Sequence, residues 1–160
     1  MAAEREPMTP RGHQALKERL YHLKEEEMPK LSREIGRARE LGDLSENAEY
    51  HAAKDKQGLL AAQIRDLEDK LARAEIIDPA KLSGTRIIFG ATVTIEDADS
   101  GERQTIQIVG PDEADTKANK ISYTAPLARA LIGREQDDEV VVTTPRGKKG
   151  CLIMKVEYLS

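Results

Sequence analysis

Leu41-Gly42-Asp43-Leu44-Ser45-Glu46-Asn47-Ala48-Glu49-Tyr50 separates two long helical patterns and reads as the tip of a helical hairpin. Gly42 can take the left-handed conformation that ends a helix. Asp43 is then placed to cap the next helix, with Glu46 three residues on in the capping-box position. The connection left between the helices is short, as in antiparallel helix pairs. Two carboxylates, Asp43 and Glu46, therefore sit at the point of a rod. Capping alone accounts for both, and acids there also suit the helix dipole. Capping and chemistry are compatible, because a carboxylate has lone pairs to spare.

Working back from the tip, Thr9-Pro10 is a helix start, with Thr as the cap and Pro at the first helical position. Met1 to Met8 reads as a loose tail. Leu16, Leu20 and Leu23 form one apolar stripe. Met28, Leu31, Ile35 and Ala38 form another, out of register with the first. Pro29 lies between them and predicts a bend in one long helix from about Pro10 to Leu41. Forward of the tip, Tyr50, Ala53, Gln57, Leu60, Ile64, Leu67, Leu71 and Ala74 alternate by three and four, which is a coiled-coil seam. At 1.5 Å per residue, some thirty residues make a rod of ~45 Å.

Asp78-Pro79-Ala80-Lys81-Leu82-Ser83-Gly84 breaks the pattern and reads as a linker. Beyond it the period changes to two. Strands are expected over Ile87 to Glu96, Arg103 to Val109, Lys120 to Tyr123, Glu139 to Thr143 and Cys151 to Tyr158. Pro126 to Ile132 is a short helix closed by Gly133. The chain is thus α+β. An antiparallel helical hairpin (1–80, acidic tip near 42–47) precedes a small antiparallel sheet domain with one short helix (81–160).

The chain has 160 residues and a formal net charge of -4, with both signs mixed, so no overall basic footprint for nucleic acid exists. With one Phe, four Tyr and no Trp, the composition suits a solvated helix pair beside a modest core. The single cysteine, Cys151, forms no internal disulfide and falls in an apolar run, as a core residue would. No apolar run approaches membrane-spanning length and no secretory signal opens the chain, so a cytoplasmic protein is expected. His13, His22 and His51 lack ligand spacing. No phosphate-binding glycine loop or activated nucleophile is recognisable. Lys30, Arg33, Arg37, Arg39, Lys54 and Lys56 gather on the tip half of the hairpin. Arg33 and Arg37 share a helix face and with Lys54 could contact phosphates. The alternative is ion pairing with Glu34, Glu40 and Asp55.

Mg²⁺ takes one or two carboxylates and fills its octahedron with water or substrate oxygens. Asp43 and Glu46 can offer those two but cannot hold the ion alone. Taken by itself, the chain carries half of an active site.

The tip from Gly42 to Lys54 closely resembles the signature of the bacterial transcript cleavage factors, the Gre family. Phe89-Gly90-Ala91-Thr92-Val93, Ile108-Val109-Gly110-Pro111-Asp112-Glu113-Ala114-Asp115 and the run from Ser122 through Pro126 to Gly133 resemble further family motifs. The resemblance runs in order from about Met8 to Tyr158; the first seven residues extend beyond the usual start, and Arg146 to Met154 matches loosely. The tip helix lacks the broader basic patch of one family branch.

The resemblance implies an FKBP-like C-terminal domain that docks on RNA polymerase, with Ser122, Tyr123 and Pro126 in the docking region. It also implies a hairpin that enters the polymerase's secondary channel and reaches the 3′ end of backtracked RNA. Asp43 and Glu46 would there help hold the second Mg²⁺ for the polymerase's own cleavage reaction. The implied protein is a monomer when active, without a cofactor when free, and is not itself an enzyme. Some relatives inhibit polymerase and carry altered acid clusters, whereas this tip keeps the Asp-Leu-Ser-Glu-Asn form. A channel-binding regulator that does not stimulate cleavage is the alternative reading. A dimerising adaptor and a prolyl isomerase are further rivals. The second is disfavoured because Phe89, Tyr123 and Tyr158 are the only aromatics of the C-terminal half.

Overall fold

The computed structural model describes residues 4–43 and 47–159. They divide into two compact units, one with Glu4 and residues 13–74, the other with residues 5–12 and 75–159. In the first unit, helix α1 (Pro10–His22, its first turn belonging to the second unit) runs through a π-helical turn at Leu23–Glu27 into α2 (Met28–Arg39). Helix α3 (Ala48–Arg73) packs back against α2. The antiparallel register is set by Leu31, Ile35 and Ala53, which form one buried cluster flanked by Tyr50 and Leu60. Lys24 and Glu68 approach to 3.9 Å further along. Every seam position from Tyr50 to Ala74 is buried or half-buried, as the three-four alternation requires.

The π turn explains the two stripes of the first helix. Leu23 and Leu31 are both buried, yet eight residues apart rather than seven. The Met28 N–H donates to the Leu23 carbonyl five residues back, so the wider turn absorbs the extra residue and keeps the apolar face inward. The irregularity lies just ahead of Pro29, which occupies the first turn of α2, where its missing N–H costs little.

In the second unit, residues expected to be a loose tail form strand β1 (Glu6–Met8), paired with β2 (Ala74–Ile76). The Ile77 N–H donates to the Met8 carbonyl at 2.8 Å, and Met8 is buried. A five-stranded sheet follows in the order β5-β4-β3-β7-β6: β3 (Thr92–Asp97), β4 (Arg103–Val109), β5 (Lys120–Ser122), β6 (Glu139–Thr144) and β7 (Gly147–Glu157). It is antiparallel except at one edge. There β5 runs parallel to β4, so the sheet is mixed rather than wholly antiparallel as expected. The β4–β5 connection carries a 3-10 turn (Thr116–Ala118) that brings the chain back in the same direction.

Val93 and Ile95, Ile106 and Ile108, Val140 and Val142, and Cys151 and Ile153 alternate onto the covered face, where Ala128 and Leu131 of α4 (Pro126–Leu131) join them. The alternation would next bury Lys155. A bulge in the β3–β7 pairing, where Thr94 meets Lys155 but Ile95 meets Ile153, inserts Met154 and turns Val156 inward instead. The first expected strand begins at Thr92 rather than Ile87, because Gly90 turns the chain with φ +92°. A Cβ there would lie 3.1 Å from Pro79 Cγ. Gly90→Ala is therefore expected to cost about 1–3 kcal/mol, read as a lowered denaturant midpoint with an unchanged slope.

Candidate functional site

The end of α2 and the start of α3 define the tip. Helix α2 closes through Glu40 and Leu41, whose N–H groups reach the carbonyls of Arg37 and Ala38 at 3.2 Å. Gly42 follows with φ +120°, in the positive region that favours glycine. Asp43 comes next, exposed and outside either helix. Glu46 lies outside the described residues. The expected cap is corrected here, because α3 begins at Ala48. The capping residue is Asn47, whose Oδ1 accepts from the Tyr50 N–H at 3.0 Å.

Asn47 also works in the other direction. Its Nδ2 donates to the Ala38 carbonyl at 2.5 Å, a second bond to an acceptor that the Leu41 N–H also reaches. One amide side chain thus ties the two helix ends together and closes the loop that carries Asp43. A side-chain amide offers an acceptor and a donor at once, on separate atoms. Asn47 was legible as a capping residue type, but the more acidic neighbours fitted the same pattern.

The basic residues divide. Arg33, Arg37 and Lys54 are all exposed. Arg37 lines a shallow groove of about 420 Å³ between α2 and α3 with Glu34, Leu41, Glu49 and Lys56. Arg33 and Lys54 do not line it, and the Lys54 ammonium donates to Gln57 Oε1 at 3.1 Å. Of the two lysines, Lys56 and not Lys54 lines the groove with Arg37. Ion pairs of the hairpin involve residues toward its base: Lys24–Glu68, Lys70–Asp66 and Arg73–Asp69. Among the described residues, the alternative pairing of the tip-half cations with Glu34, Glu40 and Asp55 does not form.

In the sheet unit, Ser122 to Pro126 is a defined turn. Ser122 Oγ accepts from the Thr124 N–H at 3.1 Å, and the Ser122 carbonyl accepts from the Ala125 N–H at 2.9 Å. The Tyr123 N–H donates to Val109 at 2.9 Å, and its ring meets Phe89 edge-on at 6.0 Å. Pro126 opens α4 and is exposed. Nearby, the Tyr158 hydroxyl donates to the Arg86 carbonyl and accepts from the Ile88 N–H, and burial pushes its pKa up. Cys151 is buried, and the same desolvation raises its thiol pKa, which leaves it inert. Among the described residues, no group of three His, Cys, Asp or Glu side chains could hold a metal ion, and no helix is long and apolar enough to cross a membrane.

A helical hairpin with an acidic, amide-braced tip, followed by a small mixed sheet, defines a class. The family model for the N-terminal domain of transcription elongation factors matches residues 6–76, and that for the GreA/GreB C-terminal domain matches residues 82–158. The chain belongs to the GreA/GreB family of transcription elongation factors. Within it, its full-length relatives are of the GreA type. It is 54% identical over 155 residues to transcription elongation factor GreA of Hyphomonas neptunium, covering 97% of this chain and 99% of that one. To GreA of Vibrio parahaemolyticus it is 52% identical, covering 98% and 99%. Among solved structures, the GreA factor homolog Gfh1 of Thermus thermophilus matches at 30% identity with a TM-score of 0.44, covering 96% of this chain and 99% of that one.

Proposed function

We propose that this elongation factor enters the secondary channel of RNA polymerase and stimulates the polymerase's own cleavage of backtracked transcripts. Asp43 and Glu46 supply carboxylate oxygens to a second Mg²⁺ that the polymerase and the RNA 3′ end also hold. A second metal between the attacking and leaving oxygens stabilises an in-line displacement. The chain is then not an enzyme alone, because the phosphodiester and the other metal belong to the polymerase. The sheet unit docks on the polymerase surface through the Ser122 to Pro126 turn.

The observation that carries this reading is the placement of Asp43. It is exposed, just past the last turn of α2, on a loop closed at its far end by Asn47. An acid needed only for capping would sit where Asn47 sits. The test is a stalled, backtracked elongation complex with and without the protein. Faster release of the 3′ fragment is expected, and slower release would replace this reading with a channel plug.

The half-site also makes a prediction for the free protein. Two carboxylates leave about four positions of an Mg²⁺ octahedron to water. Calorimetric titration of the free protein with Mg²⁺ is expected to reveal no high-affinity site. A saturable, tight site would show that the tip is a complete metal centre.

A further inference from the structure

The run Gly110-Pro111-Asp112-Glu113-Ala114-Asp115 follows β4 and leads to β5, all within the second unit. Glu113 stands between two partners there. Its Oε2 accepts the hydroxyl proton of Thr9, and its Oε1 lies 3.7 Å from the Lys120 ammonium. Thr9 is 4% exposed, and the Glu113 and Lys120 side chains 13% and 21%. Thr9 is itself fixed by the residues before it, which belong to the same unit. Met8 is buried, and its carbonyl accepts from the Ile77 N–H at 2.8 Å. A Cβ on Gly110 would come within 3.1 Å of the Pro7 carbonyl. At the other end, Lys120 is the first residue of β5, and its backbone exchanges two hydrogen bonds with Asp115, at 2.8 and 3.0 Å.

We infer that Glu113 is a positioning residue for the docking turn, holding Lys120 and with it β5 against the post made by Thr9; this rests on the docking of Ser122 to Pro126 proposed above. Strand β5 needs such a hold. It has three residues, lies at the edge of the sheet and pairs with β4 in parallel. All three are only half-buried. A strand so short and shallow opens locally at low cost. Its last residue, Ser122, pairs with Val109 and begins the turn, and the Tyr123 N–H reaches the Val109 carbonyl at 2.9 Å. Fraying of β5 therefore removes the frame that presents Ser122 and Tyr123. The Glu113 carboxylate opposes it, because charge-assisted bonds to a hydroxyl and an ammonium are stronger than neutral ones. Capping of α1 does not explain this contact. The cap needs only Thr9 Oγ1, which accepts the Gly12 N–H at 3.0 Å. The bond from Thr9 to Glu113 is additional, and it leads to β5.

The test uses the full-length protein and two readouts, amide exchange of the free chain and competition with wild type for polymerase. Glu113→Ala is expected to speed exchange at Tyr123, whose N–H bonds to Val109, and to leave Ile153, whose N–H bonds to Asp138, unchanged. If the docking-competent conformation falls to about a tenth, the half-saturating concentration for polymerase rises about tenfold. Thr9→Val, which removes the hydroxyl at nearly constant shape, should act in the same direction. Thr9→Ser keeps the hydroxyl and should match wild type, and Glu113→Gln, which keeps an acceptor but not the charge, should fall between. Unchanged competition by Glu113→Ala, an equal loss in Thr9→Ser, or exchange speeded as much at Ile153 as at Tyr123 would overturn the inference alone. Pro126→Glu alters the exposed surface of the turn directly, at a helix start that tolerates an acid. Full-strength competition by Pro126→Glu would overturn the docking reading instead.

Discussion

Stimulated cleavage is expected to fall by at least an order of magnitude when Asp43→Asn and Glu46→Gln are combined, with folding and polymerase binding retained. A neutral amide is a much poorer ligand for a hard cation than a carboxylate, although it has nearly the same shape. The loss expected from removing a transition-state charge stabiliser is about 2.7–4 kcal/mol, or roughly a hundredfold or more, if both oxygens act on the reacting phosphate. The structure sharpens the control. Asp43 does not cap α3, because Asn47 does. Asp43→Asn, which keeps the shape and one accepting oxygen, should therefore leave stability within about 1 kcal/mol of wild type. Competition for polymerase and cleavage should be measured on the same preparations. Near-normal cleavage by the double variant would sink the metal-donor mechanism and leave channel binding without chemistry as the best account.

Asn47→Ala is expected to have the second-largest effect, by a different route. It removes the cap on Tyr50 and the bond to the Ala38 carbonyl together. An N-cap loss costs about 1 kcal/mol and a lost hydrogen bond a similar amount, so a destabilisation of about 2 kcal/mol is expected for the hairpin. The two losses fall on neighbouring groups and are not strictly additive. Cleavage should fall as well, because the loop that carries Asp43 loses its closure. Asn47→Asp separates the two bonds. It keeps the acceptor for the Tyr50 N–H but sets a carboxylate against the Ala38 carbonyl. If the bridge matters, Asn47→Asp will retain most of the helix start, seen by amide exchange at Tyr50, yet cleave as poorly as Asn47→Ala. Full cleavage by Asn47→Asp would mean that capping alone positions the tip.

Much of this was legible because the signals are local. The seam from Tyr50 to Ala74 follows from apolar spacing, which one helix dictates to itself. Pro126 and Gly133 bracket α4 for the same reason, and Asp99-Ser100-Gly101 marks the turn between β3 and β4. The tip was legible as a tip, since Gly42 ends one helix and polar residues begin the next. Its internal assignment was not. Asp43 and Asn47 are both good N-cap types, and choosing between them depends on where the incoming helix must stand relative to Ala38, a distance that spacing does not encode. The basic residues posed the same difficulty. Which lysine lines the groove with Arg37 depends on the rotation of α3 against α2, and the answer is Lys56.

The sequence by itself determined the division into helical and β-period halves, the hairpin, the candidate acids and the family resemblance. All of these rest on residues near one another in the chain or on a pattern read along it. Only the tertiary structure decided that Glu6–Met8 forms β1 on the second unit, that β5 runs parallel to β4, and that Met154 bulges to turn Val156 inward. It alone brought Glu113 to Thr9 and Asn47 to Ala38. The physical reason is common to them. Each depends on which backbone and side-chain groups, distant in sequence or across a turn, must find hydrogen-bond partners once water is excluded, and that is set by packing rather than by periodicity.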